Sequence, residues 1–295
     1  MIRFSKYIWI YICISALVLI LGIYSLLRFG LQPSVDFTGG TLLEMKFAKS
    51  ISTETIEQIA EKEQFPVMTV QTIGTSSYGI RAGIASDEVI TSFQAALASE
   101  IGEAPEILRK ETVGPILGAE LLFKSVVAAL LAIAAILLYV AYAFKNIKFG
   151  VSAIIALIHD VLIVFGSFSL FGHFFGVEVD TLFMTAFLTT MSFSVHDTIV
   201  IFDRIREYRK KDPRGNIREI SDIALNETMG RSLINSFTII FMLLALVLMG
   251  GESVKWFATA LLIGTITGTY SSPFVATPFV ILWESLEQKK KKKLL

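Results

Sequence analysis

The sequence has one cysteine, Cys13, set inside an apolar run, so it can build neither a disulfide framework nor a cysteine-based metal site. Its three histidines, His159, His173 and His196, lack zinc-ligand spacing, and no metal or other cofactor is expected. The most polar stretch, residues 35–112, holds no nucleophile–base pair and no phosphate loop; Gly39-Gly40 is too short to be one. Bond-making enzymatic chemistry is therefore not expected, nor is a nucleic-acid partner. Charge is scarce as well, at 18% of residues, and 26 basic against 26 acidic side chains cancel.

What the chain has in excess is apolar sequence. A hydrophobic share of 54% and a mean hydropathy of +0.65 point to a polytopic membrane protein. A bilayer core is crossed by about 20 apolar residues in a helix. Six stretches qualify: residues 7–27, 121–144, 149–171, 181–202, 232–249 and 254–283. The first follows Arg3 and Lys6 but is too long for a signal core and is not followed by an A-x-A-like site, so it is expected to stay as an anchor. The last contains Pro273 and Pro278 and is expected to kink or tilt.

The basic residues of the short loops fall on one side of such a bundle. Arg3 and Lys6, Lys145 and Lys148, the run after Asp203, and Lys289–Lys293 alternate with loops 172–180 and 250–253, which carry no Lys or Arg. Both termini are therefore expected in the cytoplasm. Residues 1–30 are then the first span, 31–118 an exterior (periplasmic) domain, and 119–295 a five-helix membrane bundle with a cytoplasmic basic segment, 203–231, and a polylysine C-terminus. The basic segment reads either as an interfacial helix at the lipid headgroups or as a docking surface for a cytoplasmic partner.

Within the exterior domain, strand patterns at 41–48, 68–73, 78–84 and 106–113 alternate with helical patterns at 53–64 and 87–100. The order β-α-β-β-α-β is that of a small α+β ferredoxin-like unit. Gly39 and Gly40 precede its first strand, as a turn or as a hinge to the first span.

The functional signal is charge inside the apolar stretches. Asp197 lies within the fourth, where a carboxylate costs about 2.5–3.5 kcal/mol to insert, and Thr198–Phe202 continue apolar beyond it. Arg231 opens the fifth, with Asn235 and Thr238 on the same helical stripe. Ser194, Asp197 and Ile201 share a stripe of the fourth, with His196 beside it. The third contributes His159 and Asp160; the sixth adds Thr259, Gly264, Thr267, Ser271 and Ser272, small residues that let helices approach. These residues compose one polar seam, supported by Thr198, Asn235, Thr238 and His159. A carboxylate held between desolvation and an arginine can load and release a proton. Asp197 is the expected carrier and Arg231 its charge partner. His196 and Asp160 are either relay members or structural hydrogen-bonding neighbours.

The segments VDFTGGT (35–41), VGPILGAELLFKS (113–125), LIHDVLIVFG (157–166), SVHDTIVIFDRIRE (194–207), GRSLINS (230–236) and GTITGTYSSPF (264–274) resemble, in order and over nearly the whole chain, the SecD/SecF family of protein-export membrane proteins. The resemblance implies membership of the resistance-nodulation-division superfamily and a SecD partner with a related membrane half. It further implies work beside the SecYEG channel, in the bacterial inner membrane, on emerging preprotein, driven by protons. It places Asp197 on the family's membrane aspartate and Arg231 on its membrane arginine. His196 departs from the asparagine common there, and Pro273 from an apolar residue. Two other readings remain open: half of an autonomous proton-driven small-molecule exporter, and a passive assembly subunit of the channel.

Overall fold

The computed structural model describes residues 2–144, 146–213 and 215–293, which fall into two compact units. One unit comprises Leu31–Ala128 with Phe171–Thr181; the other holds most of the helical spans. The first, named the exterior unit after the domain expected at 31–118, also takes in the first part of a long helix and residues 171–181.

The exterior unit begins with a short helix, α2 (Val35–Thr38), after the first span, α1 (Ile8–Phe29). Strand β1 (Gly40–Lys46), helix α3 (Thr53–Lys62), strands β2 (Val67–Thr72) and β3 (Ser77–Ala82), helix α4 (Asp87–Ile101) and strand β4 (Glu106–Val113) follow. The sheet runs β2-β3-β1-β4 with every pair antiparallel. Serines start both helices: the Ser52 hydroxyl accepts the Thr55 N–H at 3.2 Å and that of Ser86 accepts the Val89 N–H at 3.4 Å. Gly102, left-handed at φ 85°, ends α4. Ile56 and Ile59 of α3 and Ile90, Phe93 and Leu97 of α4 recur at helical spacing and bury against Leu43, Met45 and Ile80 of the sheet. Phe65 stacks on Phe93 at 4.4 Å.

Gly39 and Gly40 make a packed corner rather than a loose swivel. Their φ angles are 74° and 123°. A Cβ on Gly39 would lie 2.8 Å from Pro115 Cα, and one on Gly40 2.7 Å from the Ala82 carbonyl oxygen. Both positions need glycine for conformation and for space.

Among the described residues, five helices are long and apolar enough to cross a membrane: the stretch Phe4–Phe29 containing α1, α5 (Pro115–Ala143), α6 (Ile147–Phe175), α7 (Thr181–Lys211) and α8 (Ile217–Met249). The sixth expected stretch is divided into α9 (Glu252–Ser271), a π-helical turn at Ser272–Ala276, and α10 (Thr277–Lys293). The cause is local. Pro273 and Pro278 supply no backbone N–H, and the Thr277 N–H and hydroxyl both turn to the Ser272 carbonyl, the hydroxyl at 3.1 Å. Among the described residues the basic segment 203–231 forms no helix of its own, being shared between α7 and α8. At about 1.5 Å per residue, the 31 residues of α7 span about 46 Å, well beyond an apolar core of about 30 Å. Its basic end and the start of α8 are extensions of the membrane helices, tied by Arg204 to Glu227 at 2.5 Å and by the Tyr208 hydroxyl to Glu227 at 2.6 Å.

Candidate functional site

The polar seam expected from the sequence divides into two sites, on adjoining faces of α7. The inner site is buried among α6, α7 and α9. On α7, Thr190, Ser194 and Thr198 recur every fourth residue and meet Gly264, Gly268 and Ser272, spaced alike. The approach is close: a Cβ on Gly264 would sit 2.3 Å from Thr190 Cγ2, and one on Gly268 3.0 Å from Ser194 Cα. Thr198 Oγ1 and Ser272 Oγ share a hydrogen bond of 2.8 Å.

Asp160 of α6 closes this site at 5% exposure. Its Oδ2 accepts the hydroxyls of Ser194 at 2.5 Å and Ser271 at 2.6 Å. Its Oδ1 lies 2.9 Å from His159 Nδ1. Among the described residues His159 Nε2 is buried without a partner. Asp160 therefore joins three helices, which is more than a lone carboxylate in a seam does. A cavity of about 10 Å³ beside it, lined by Thr190, Met191 and Gly264, is near the size of one water.

The outer site lies on the adjoining face of α7, toward α8. His196, Asp197 and Val200 of α7 and Thr228, Arg231, Ser232 and Asn235 of α8 line a cavity of about 400 Å³. Asp197 Oδ2 accepts the Ser232 hydroxyl at 2.5 Å. Arg231 borders the same cavity, but among the described residues it forms no salt bridge with Asp197. A second cavity of about 660 Å³ shares Val200, Thr228 and Arg231 with the first and continues to Asp203, Arg204, Glu207 and Glu227. Polar walls thus lead from Asp197 to the charged extensions of α7 and α8.

Of the expected seam, Asp197, Arg231, His196 and Asn235 come together. Asp160, His159 and Thr198 belong to the inner site instead. Thr238 joins neither cavity, for its hydroxyl bonds the Ile234 carbonyl of its own helix at 2.9 Å. Ser194 and Asp197, about 60° apart around α7, bond different neighbours: Ser194 donates to Asp160 of α6, whereas Asp197 accepts from Ser232 of α8.

Three polar anchors escaped the sequence reading. Ser232 was hidden among the apolar residues that open the fifth stretch. Asp222, at 4% exposure, accepts the Ser5 N–H and hydroxyl, each at 2.8 Å, and so caps the turn before α1. Asn226, one turn on, exchanges two hydrogen bonds with the Ile2 backbone. The available signal was Asp222 and Asn226 at i, i+4 beside Ile220, Ala224 and Leu225, an apolar face too continuous for a solvated loop.

Comparison with known proteins agrees with this architecture. The family described as "Protein export membrane protein SecD/SecF, C-terminal" matches residues 93–286, and the SecD/SecF GG motif matches residues 24–51. The protein translocase subunit SecF of Thermobaculum terrenum is 38% identical over 97% of this chain and 95% of that protein. The subunit SecDF of Thermus thermophilus is 35% identical over 87% of this chain and 35% of its own length. The crystal structure of a Thermus SecDF, a translocon-associated membrane protein, superimposes with a TM-score of 0.86 at 32% identity, covering 96% of this chain and 39% of that one. This multi-pass membrane chain belongs to the SecD/SecF family of protein-export membrane proteins.

Proposed function

We propose that this chain is an accessory subunit of the bacterial Sec preprotein translocase that couples proton flow through its membrane bundle to late steps of export. One observation carries the reading. Asp197, on a membrane helix, opens into a cavity shared with Arg231, and that cavity adjoins a second one among the charged helix extensions. A carboxylate kept in apolar sequence with an arginine, a histidine and an open cavity beside it suits reversible protonation. Protons are then the coupling ion, and no cofactor is required.

The partner in this proposal is SecD. The Thermus SecDF, whose name joins the two, is matched over about a third of its length, which leaves room for a second membrane half. That half would cover apolar surface such as Leu130, Leu131 and Leu138 of α5, the remainder meeting lipid. The SecYEG channel and emerging preprotein complete the set. The proposal places the chain in the bacterial cytoplasmic membrane with both termini in the cytoplasm. It counts the divided α9–α10 segment as a sixth span and takes the exterior unit as ferredoxin-like.

The test is preprotein completion in inverted membrane vesicles containing the channel and SecD, with an imposed proton gradient. Asp197→Asn at equal protein level is expected to lose the gradient-dependent part while the complex stays assembled. Full activity of the variant would refute the proton role of Asp197.

A further inference from the structure

Within the exterior unit, three segments far apart in sequence converge on one guanidinium. Arg81, on β3, pairs through Nη1 with Glu178 Oε1 at 3.1 Å. Its Nη2 donates to the Pro33 carbonyl at 3.0 Å and to Thr38 Oγ1 at 3.2 Å. The segments it joins are also bonded to each other. The Ser34 N–H donates to the Val179 carbonyl at 2.9 Å, and the Val179 N–H to the Gln32 carbonyl at 2.7 Å. Two residues on, Asp36 Oδ2 accepts the Thr181 N–H at 3.1 Å and its hydroxyl at 2.9 Å. Thr181 is the first residue of α7, so Asp36 serves as a cap supplied from another segment, with its charge at the helix N-terminus.

We propose that Arg81, Glu178 and Asp36 are positioning residues that form an exterior clasp on the start of α7, and that protons on the exterior side close it. The inference rests on the export reading, because α7 is the helix that carries Asp197. Geometry makes the clasp. Its pH response follows from the burial of Glu178, whose side chain is 15% exposed.

Burial raises the Glu178 carboxyl from 4.5 to about 7; Arg81 and Arg109 pull it down but do not win, and Asp180 and Glu44 push it further up. Opening the clasp returns Glu178 to water and to its ordinary value. The closed form therefore binds the proton more tightly. Its extra stability is complete below pH 4.5 and is lost as pH rises through about 7. Acid closes the clasp, although Arg81 pairs with the ionised form. Between pH 6 and pH 8 the open-to-closed ratio rises about tenfold.

The test is hydrogen exchange on the full chain in lipid nanodiscs, reading peptides over residues 31–39 and 171–182 and correcting for the intrinsic pH dependence of exchange. Wild type is expected to lose about tenfold in protection from pH 6 to pH 8. Glu178→Gln keeps a hydrogen-bonding side chain of the same shape and is expected to stay protected at both. A flat wild type, or a slope retained by Glu178→Gln, overturns the proposal. Gradient-driven export by Asp197→Asn is read in parallel. A present slope with undiminished export sinks the export reading alone, and an absent slope with lost export sinks the clasp alone.

Discussion

Replacing Gly40 by alanine tests why the corner before β1 is built from two glycines. At φ 123° a side chain costs about 1–3 kcal/mol in backbone strain. The new Cβ would also stand 2.7 Å from the Ala82 carbonyl oxygen, a backbone atom that cannot swing away. Relieving such an overlap typically costs about 1–3 kcal/mol more. The sum, about 2–6 kcal/mol, compares with about 5–15 kcal/mol for a whole domain. Two other glycines separate the causes. Gly102 has φ 85° with nothing within 4 Å of its Cβ, so Gly102→Ala meets strain alone, about 1–2 kcal/mol. Gly74 has an ordinary φ and only ordinary contacts, 3.5 Å to Ser77 Cβ, so Gly74→Ala is expected within about 1 kcal/mol of wild type. Pulse proteolysis of the full chain in micelles across a urea series, reading cleavage in residues 31–128, gives all three. The expected order of destabilisation is Gly40, Gly102, Gly74. If Gly40→Ala costs no more than Gly102→Ala, close approach is not what the corner requires.

Two further outcomes follow from the buried carboxylates. Asp160→Leu strands the Ser194 and Ser271 hydroxyls and His159, at about 1–3 kcal/mol per orphaned donor, whereas Asp160→Asn keeps an acceptor and should retain much of that stability; thermal unfolding that ranks the two alike would deny Asp160 its tying role. Asp222→Ala removes both acceptors of Ser5, bonds worth about 1.5–3 kcal/mol each to a charged group, and should expose the first residues to an aminopeptidase while leaving the exterior unit as resistant as before.

The exterior unit was legible because its signals are local. Serine caps, helical spacing of Ile56, Ile59, Phe93 and Leu97, and alternation along the strands each act within a few residues, and the observed elements begin and end close to where those signals lie. Asp197, Arg231, His196 and Asn235 were legible because an ionisable group in apolar sequence demands a reason. Two features were not. The division of the seam depends on which face of α7 meets α9, and a sequence with serine, histidine, aspartate and threonine at 194 and 196–198 offers polar groups all round the helix. The Arg81 convergence joins residues 33, 38, 81 and 178, and no pattern within a window of sequence marks them as neighbours.

The division itself bears on how a proton could do mechanical work. Around Asp160 the helices α6, α7 and α9 meet closely: Gly264 leaves no room for a Cβ beside the Thr190 side chain, Gly268 little beside the Ser194 backbone, and the Ser194 and Ser271 hydroxyls both bond Asp160, so little slack is left for sliding. The α7–α8 face is built differently. There, beside Asp197, the Ser232 hydroxyl bond bridges walls around about 400 Å³ of open space. In the proposed mechanism a change of charge at Asp197 would act on that bond and on Arg231 across the gap. On this view Asp160 contributes by never changing its bonds, and exchanging the roles of the two aspartates would place the moving charge where little can move.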